Sequence, residues 1–166
     1  ADQTSNIYSL NPQTGDGAAL TEQPEGVLDY AALPDGSALI YSTPSASAGS
    51  QIISLNRWSG EENILVECAA ALCRSPVPSP DGTRLAYEII PKQADARPGI
   101  RLYHFRDQST ETVGSSSHYL DNPRWSSTGW LSYYNHTEQQ FVLWHPEKEQ
   151  EITLANQTGG PVSWDA

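Results

Sequence analysis

Residues 79–87 read Ser79-Pro80-Asp81-Gly82-Thr83-Arg84-Leu85-Ala86-Tyr87, and two other stretches repeat the phrase. Leu33-Pro34-Asp35-Gly36 leads to Leu39 and Tyr41, and Ser126-Ser127-Thr128-Gly129 leads to Leu131 and Tyr133. The three glycines stand 46 and 47 positions apart. Each phrase has the chemistry of a tight corner. Pro34 and Pro80 preset φ for the first bend. Asp35 and Asp81 can bond back to nearby backbone amides. Gly36, Gly82 and Gly129 can take the left-handed conformation that strains other residues. The third copy replaces Pro-Asp with Ser-Thr and keeps the glycine.

The segments between the corners read as short strands. Asn6–Leu10 is nearly copied at Gln51–Leu55, and each is followed by a polar turn ending in glycine, Gly15 or Gly60. A strand-built repeat of roughly 40–50 residues predicts a β-propeller with one blade per repeat. The expected architecture is an all-β propeller segment of three complete four-stranded blades, spanning 27–66, 75–113 and 120–154. A partial blade is expected at each end. Residues 6–21 supply a third and an outer strand, and 161–166 begin a further inner strand. The segment would belong to a larger propeller or close as a four-bladed ring, and its exposed strand edges favour association with another chain or with remaining blades. Trp125 and Trp164, before their corners, suit packing between blades.

Composition narrows the function classes. Lys and Arg number 9 against 20 Asp and Glu, a formal net charge of −11. That field repels nucleic acid and anionic membranes, and no basic stripe overrides it. No apolar run approaches the roughly 18–20 residues that span a bilayer. No signal peptide is recognisable and the chain contains no Met, so Ala1 reads as a processed or trimmed start. Cys68 and Cys73 lie five positions apart in a predicted loop between blades. An even count in one loop favours a disulfide, and an oxidising compartment, over two buried thiols.

Catalytic signals are weak. There is no Gly-x-Ser-x-Gly elbow and no helical pattern to carry one. His104, His118, His136 and His145 are isolated, with no pair at ligand spacing, so neither a metal site nor a cofactor is expected. No Gly-rich phosphate loop is present. Asn135-His136-Thr137 and Asn156-Gln157-Thr158 match the glycosylation acceptor pattern, which matters only in a secreted eukaryotic protein.

The phrase at 79–87, with strands like Gln51–Leu55 and glycine turns, resembles the TolB-type, WD-like propeller repeat. The second unit matches best, with Pro78 where the family has Trp; the third keeps Trp125-Ser126. The resemblance implies ligand binding at one end of the central channel. There the loops 23–28, 68–76, 115–122 and 156–161 would meet the loops 43–50, 91–99 and 135–139. Candidate binding residues in that geometry are Asp29, Tyr30, Arg74, Tyr119, Asp121, Asn122 and Arg124; their alternative role is to cap strands. Similar propellers serve as periplasmic translocation accessories, extracytoplasmic lipoproteins and sensors, and gating domains of prolyl-oligopeptidase-like enzymes. The expectation is therefore a non-catalytic, extracytoplasmic module that binds a protein partner. The alternatives are the propeller part of a serine peptidase and a small-ligand or sugar sensor.

Overall fold

A computed structural model describes residues 4–46 and 48–155. The expected strand at 161–166, Trp164, the loop 156–161 and the Asn156 acceptor pattern fall outside the described residues. All regular structure among them is strand. Among the described residues, no helix is long and apolar enough to cross a membrane.

Fourteen strands form four antiparallel sheets, none closed into a barrel. A two-stranded sheet pairs β1 (Tyr8–Leu10) with β2 (Gly17–Ala19). The first complete sheet runs in order through β3 (Asp29–Ala32), β4 (Ala38–Ser45), β5 (Gly49–Asn56) and β6 (Glu62–Cys68). The second holds β7 (Ala71–Pro78), β8 (Arg84–Pro91), β9 (Gly99–His104) and β10 (Thr110–Thr112). The third holds β11 (Leu120–Trp125), β12 (Leu131–Asn135), β13 (Gln140–His145) and β14 (Gln150–Ala155). Each is a simple meander, as propeller blades are.

The repeated corner joins the first two strands of every sheet. Gly36, Gly82 and Gly129 have φ of 71°, 68° and 85°. Their amides donate to the carbonyls of Leu33, Ser79 and Ser126. Asp35 accepts from the Ser37 amide and Asp81 from the Thr83 amide, at 2.9 and 3.0 Å. The third corner is one residue shorter and has no counterpart of Ser37 or Thr83, so an Asp would find no amide there. Thr128 instead lies 3.1 Å from the Ser126 hydroxyl. The change from Asp to Thr follows from the deletion.

Side chains alternate along a strand, so each second strand serves two interfaces. Leu39 and Tyr41 face the β1–β2 sheet, where they bury with Ile7, Ile53 and Leu55. One residue over, Ile40 faces the second sheet and packs with Ile52, Cys73, Leu85, Tyr87 and Tyr103. Ala86 then faces the third sheet, among Ile100, Leu102, Leu131, Tyr133 and Val142. The repeated Leu and Tyr thus always meet the preceding sheet. Burial, with the Glu62 carboxylate that accepts the phenol's hydrogen bond at 2.7 Å, pushes Tyr41 well above the usual tyrosine value. Tyr133 is raised by burial and by the carboxylates of Glu151 and Glu138.

One sequence expectation is corrected here. Cys68 and Cys73 are not in a loop. Cys68 ends β6, Cys73 lies inside β7, and only Ala69 and Ala70 separate the two strands. Loop 68–76 is therefore mostly strand, and the second sheet starts at Ala71 rather than near Ser75. The cysteines form a disulfide with Cα atoms 6.1 Å apart, buried between the first two sheets. Ala70, at φ 53°, makes the sharp turn that brings them together. The backbones approach closely around this bridge. A Cβ on Gly49 would overlap the Cys68 carbonyl. The Ser50 hydroxyl accepts from the Cys73 amide at 2.6 Å and donates to the Cys73 carbonyl at 3.2 Å.

Two outcomes follow from these contacts. Ser50→Ala leaves the buried Cys73 amide without its acceptor and is expected to cost about 1–3 kcal/mol in urea unfolding; an unchanged midpoint would refute the clamp. The corner aspartates set an acid limit. Burial alone would raise Asp81, but hydrogen bonds from Ser79 and Thr83 and the charge of Arg84 outweigh it and hold its carboxyl below 3.8. Hydrogen bonds from Ser37 and Ser109 likewise hold Asp35 and Asp107 low. A depressed folded pKa gives stability that is complete above the unfolded value and is lost as pH falls through the folded one. Thermal stability should therefore fall below about pH 4, and Asp81→Asn should flatten that decline. An equal slope in the variant would remove Asp81 from the account.

Candidate functional site

The inner strands β3, β7 and β11 begin at the loop end of the sheets, opposite the glycine corners. Two of them are kinked at equivalent repeat positions. In β7 the register with β8 shifts between Arg74 and Val77, and Ser75 has φ of 51°. In β11 the register with β12 shifts between Asp121 and Arg124, and Asn122 has φ of 57°. A bulge withdraws an amide from its own ladder. In both strands the freed amide is taken by a carboxylate from the preceding sheet. Ser75 donates to Asp29 Oδ2 at 3.2 Å, and Asn122 donates to Glu88 Oε1 at 2.7 Å. The other Glu88 oxygen accepts from Arg74 Nε at 3.0 Å. The indole N–H of Trp125 adds a further link, donating to the Val77 carbonyl at 3.0 Å.

Three of the seven sequence candidates, Asp29, Arg74 and Asn122, therefore belong to this chain of contacts between sheets. Its central carboxylate is Glu88, whose side chain is only 7% exposed while that of Arg74 is 46% exposed. Glu88 is not among the sequence candidates, which lie in the loops and on the inner strands. Its register position opposite Arg74 was the available signal.

Two more candidates form a second group around His136. The His136 ring stacks on Tyr119 with centroids 4.2 Å apart, and Tyr134 meets it edge-on at 4.6 Å. His136 Nε2 lies 2.7 Å from Asp121 Oδ2. The backbone reinforces this, since the His136 amide donates to the Tyr119 carbonyl and the Tyr119 amide to Thr137 Oγ1. His118 sits beside it, 3.1 Å from the Asn135 side-chain amide and 3.5 Å from Glu138. His136 was read from sequence as an isolated loop residue. The β11–β12 pairing, with Leu120 opposite Asn135, is what puts it against Tyr119 and Asp121.

Tyr30 and Arg124 join neither group. Tyr30 is 62% exposed on β3. Arg124 is exposed and reaches only the Pro123 carbonyl. Among the described residues, no cluster of three or more His, Cys, Asp or Glu could hold a metal ion. The end thus combines fastened carboxylates with the exposed ring of Tyr30 and the half-buried stack of Tyr119 on His136, while Arg124 lies nearer the glycine corner, opposite Ser132.

No protein-family model and no curated protein matches the chain. Solved structures share its fold. A putative TolB from Agrobacterium tumefaciens has a TM-score of 0.69 at 19% identity, covering 90% of this chain and 56% of that one. A puromycin-hydrolyzing peptidase from Mycobacterium tuberculosis has a TM-score of 0.71 at 16% identity, covering 92% and 28%. An oligogalacturonate lyase from Vibrio parahaemolyticus has a TM-score of 0.67 at 16% identity, covering 90% and 45%. The chain spans little more than half of that TolB and less of the other two. At these identities the likeness is one of fold: a β-propeller-like arrangement similar to that of TolB and WD40-repeat structures.

The Glu88 contacts make a measurable prediction. Glu88→Ala leaves the Asn122 amide unpaired and should destabilise by about 2–3 kcal/mol. Arg74→Ala removes a half-exposed partner and should cost under about 1 kcal/mol. Equal losses in denaturant unfolding would show that the ion pair, not the amide contact, is what matters.

Proposed function

We propose that the chain is a non-catalytic propeller module that presents the loop end of its inner strands to a protein partner outside the cytoplasm. One observation carries this reading. The carboxylates of that end are engaged in holding sheet to sheet or ring to ring, whereas the Tyr30 ring is exposed and the half-buried Tyr119 stacks on His136 at its edge, with Arg124 exposed farther along β11. Aromatic and Arg side chains on a rigid frame are the residues that dominate protein contacts. The buried Cys68–Cys73 bridge supports an oxidising compartment, and the fold shared with TolB proteins supports the same placement.

A second reading draws on the peptidase that shares the fold. Here the chain is the propeller part of a serine peptidase, and its loop end faces a catalytic domain. In either case further sheets, or another chain, would complete the ring. Tyr8 and Leu10 favour this, each 68% exposed on the face of the β1–β2 sheet turned away from its neighbour.

A photo-crosslinking amino acid placed at Tyr30 or Tyr119 should capture a defined partner in the native host. The same group at Trp58, exposed at the opposite end, should not. Crosslinks only from Trp58, or peptide hydrolysis by the purified chain, would overturn the proposal.

A further inference from the structure

A cavity of about 400 Å³ opens at the end of the second sheet, between the 91–99 loop and residues 113–118. Arg97 and Arg101 both line it, and Asp95 is the only carboxylate among its lining residues. Neither arginine has a carboxylate within ion-pair distance among the described residues, unlike Arg74 and Arg84. Arg97 and Arg101 share that state with most arginines and lysines among the described residues, and what sets them apart is that both line one cavity. Arg97 is held in place by Thr137 Oγ1 at 3.3 Å, which ties its loop to the third sheet. The Leu120 amide, donating to the Pro98 carbonyl, fixes the same loop.

The rest of the wall has a second chemistry. Ile89 and Pro91 supply apolar surface, and the serines at 115–117 supply hydroxyls. Opposite Ile89 in the ladder stands Gly99, where an added Cβ would meet nothing within 4 Å. The absence of a side chain at Gly99 keeps the apolar part of the cavity open.

We propose that this cavity binds an organic carboxylate with a hydrocarbon body. Two guanidiniums and one carboxylate leave one positive charge, which matches a monoanion. A dianionic phosphate would meet the same single charge against a strongly acidic chain, and it has no apolar part for Ile89 and Pro91. Guanidinium groups take carboxylates bidentately, with serine hydroxyls available for the remaining lone pairs. The site adjoins the Tyr119 group, with which it shares Thr137, but does not depend on the role proposed for that surface.

The test is an amide-resolved NMR titration of the intact 166-residue chain with hexanoate. Shifts should saturate at Arg97, Gly99, Arg101 and residues 115–117, and should weaken with added salt. Hexanol and inorganic phosphate should produce no saturating shifts there. A peptide with a free C-terminal leucine, compared with its amidated form, separates a protein terminus from a small acid as the source of the carboxylate. Arg97→Gln, on an exposed loop, should weaken hexanoate binding roughly tenfold. Gly99→Val should abolish binding by filling the hollow, without removing any charge. Absent or non-saturating shifts, equal binding of phosphate, or full binding by both variants would overturn the assignment.

Discussion

A four-stranded antiparallel sheet with apolar side chains on both faces cannot be stable in water by itself. It needs a second sheet on each side, and this requirement organises the whole molecule. The second strand of every sheet answers it in the same way. Leu85 and Tyr87 pack backward and Ala86 packs forward, and Leu39, Ile40 and Tyr41 repeat that division. The glycine corner sets which residues fall on which face. A shift of one residue there would exchange the two faces along the strand. The corner is therefore kept even where its Pro and Asp are lost, as at Gly129.

Apolar packing alone does not fix how one sheet is rotated against the next, because it is weakly directional. Directional contacts supply that information along the inner strands. The bulges at Ser75 and Asn122 each expose an amide that only a neighbouring sheet can satisfy, and Asp29 and Glu88 meet them. Farther along the same strands, the Trp125 indole reaches Val77. Between the first two sheets, Ser50 binds both backbone groups of Cys73 beside the disulfide. Each of these contacts joins consecutive sheets, so local geometry is passed from one blade to the next.

The corners, the strand order and the all-β class were legible because they depend on local chemistry that repeats. Pro-Asp-Gly stands at two of the corners and its glycine at all three, at near-equal spacing. The pairing of Cys68 with Cys73 was legible for the same reason. Their placement was not, since the alanines between them read as a linker while the backbone continues as strand almost to both cysteines. The bulges left no trace, because Ser and Asn at φ near +50° look like any Ser or Asn in a strand. Without the bulges, the partnership of Glu88 with Asn122 is invisible, and so is the difference between Arg74, which is fastened, and Arg124, which is not. His136 became meaningful only once the β11–β12 register set it against Tyr119. Sequence periodicity identifies what repeats, and the site is made of what does not.

Charge is where these two levels meet. With 20 acidic side chains and 9 basic ones, most carboxylates cannot have a cationic partner. Those at structural positions bond instead to amides and hydroxyls, as Asp29, Asp35 and Asp81 do. Among the described residues, Arg74 and Arg84 pair with carboxylates, and the other arginines and lysines do not. A basic side chain that lines a cavity and is tied down by a neutral partner is set apart by that position, not by the lack of an acid. Arg97, anchored through Thr137, is such a case, whereas Arg84 bridges to Glu147 at 3.3 Å across two sheets. In an acidic propeller a cation held inside a cavity, more than the abundant acids, marks surface that can receive a ligand.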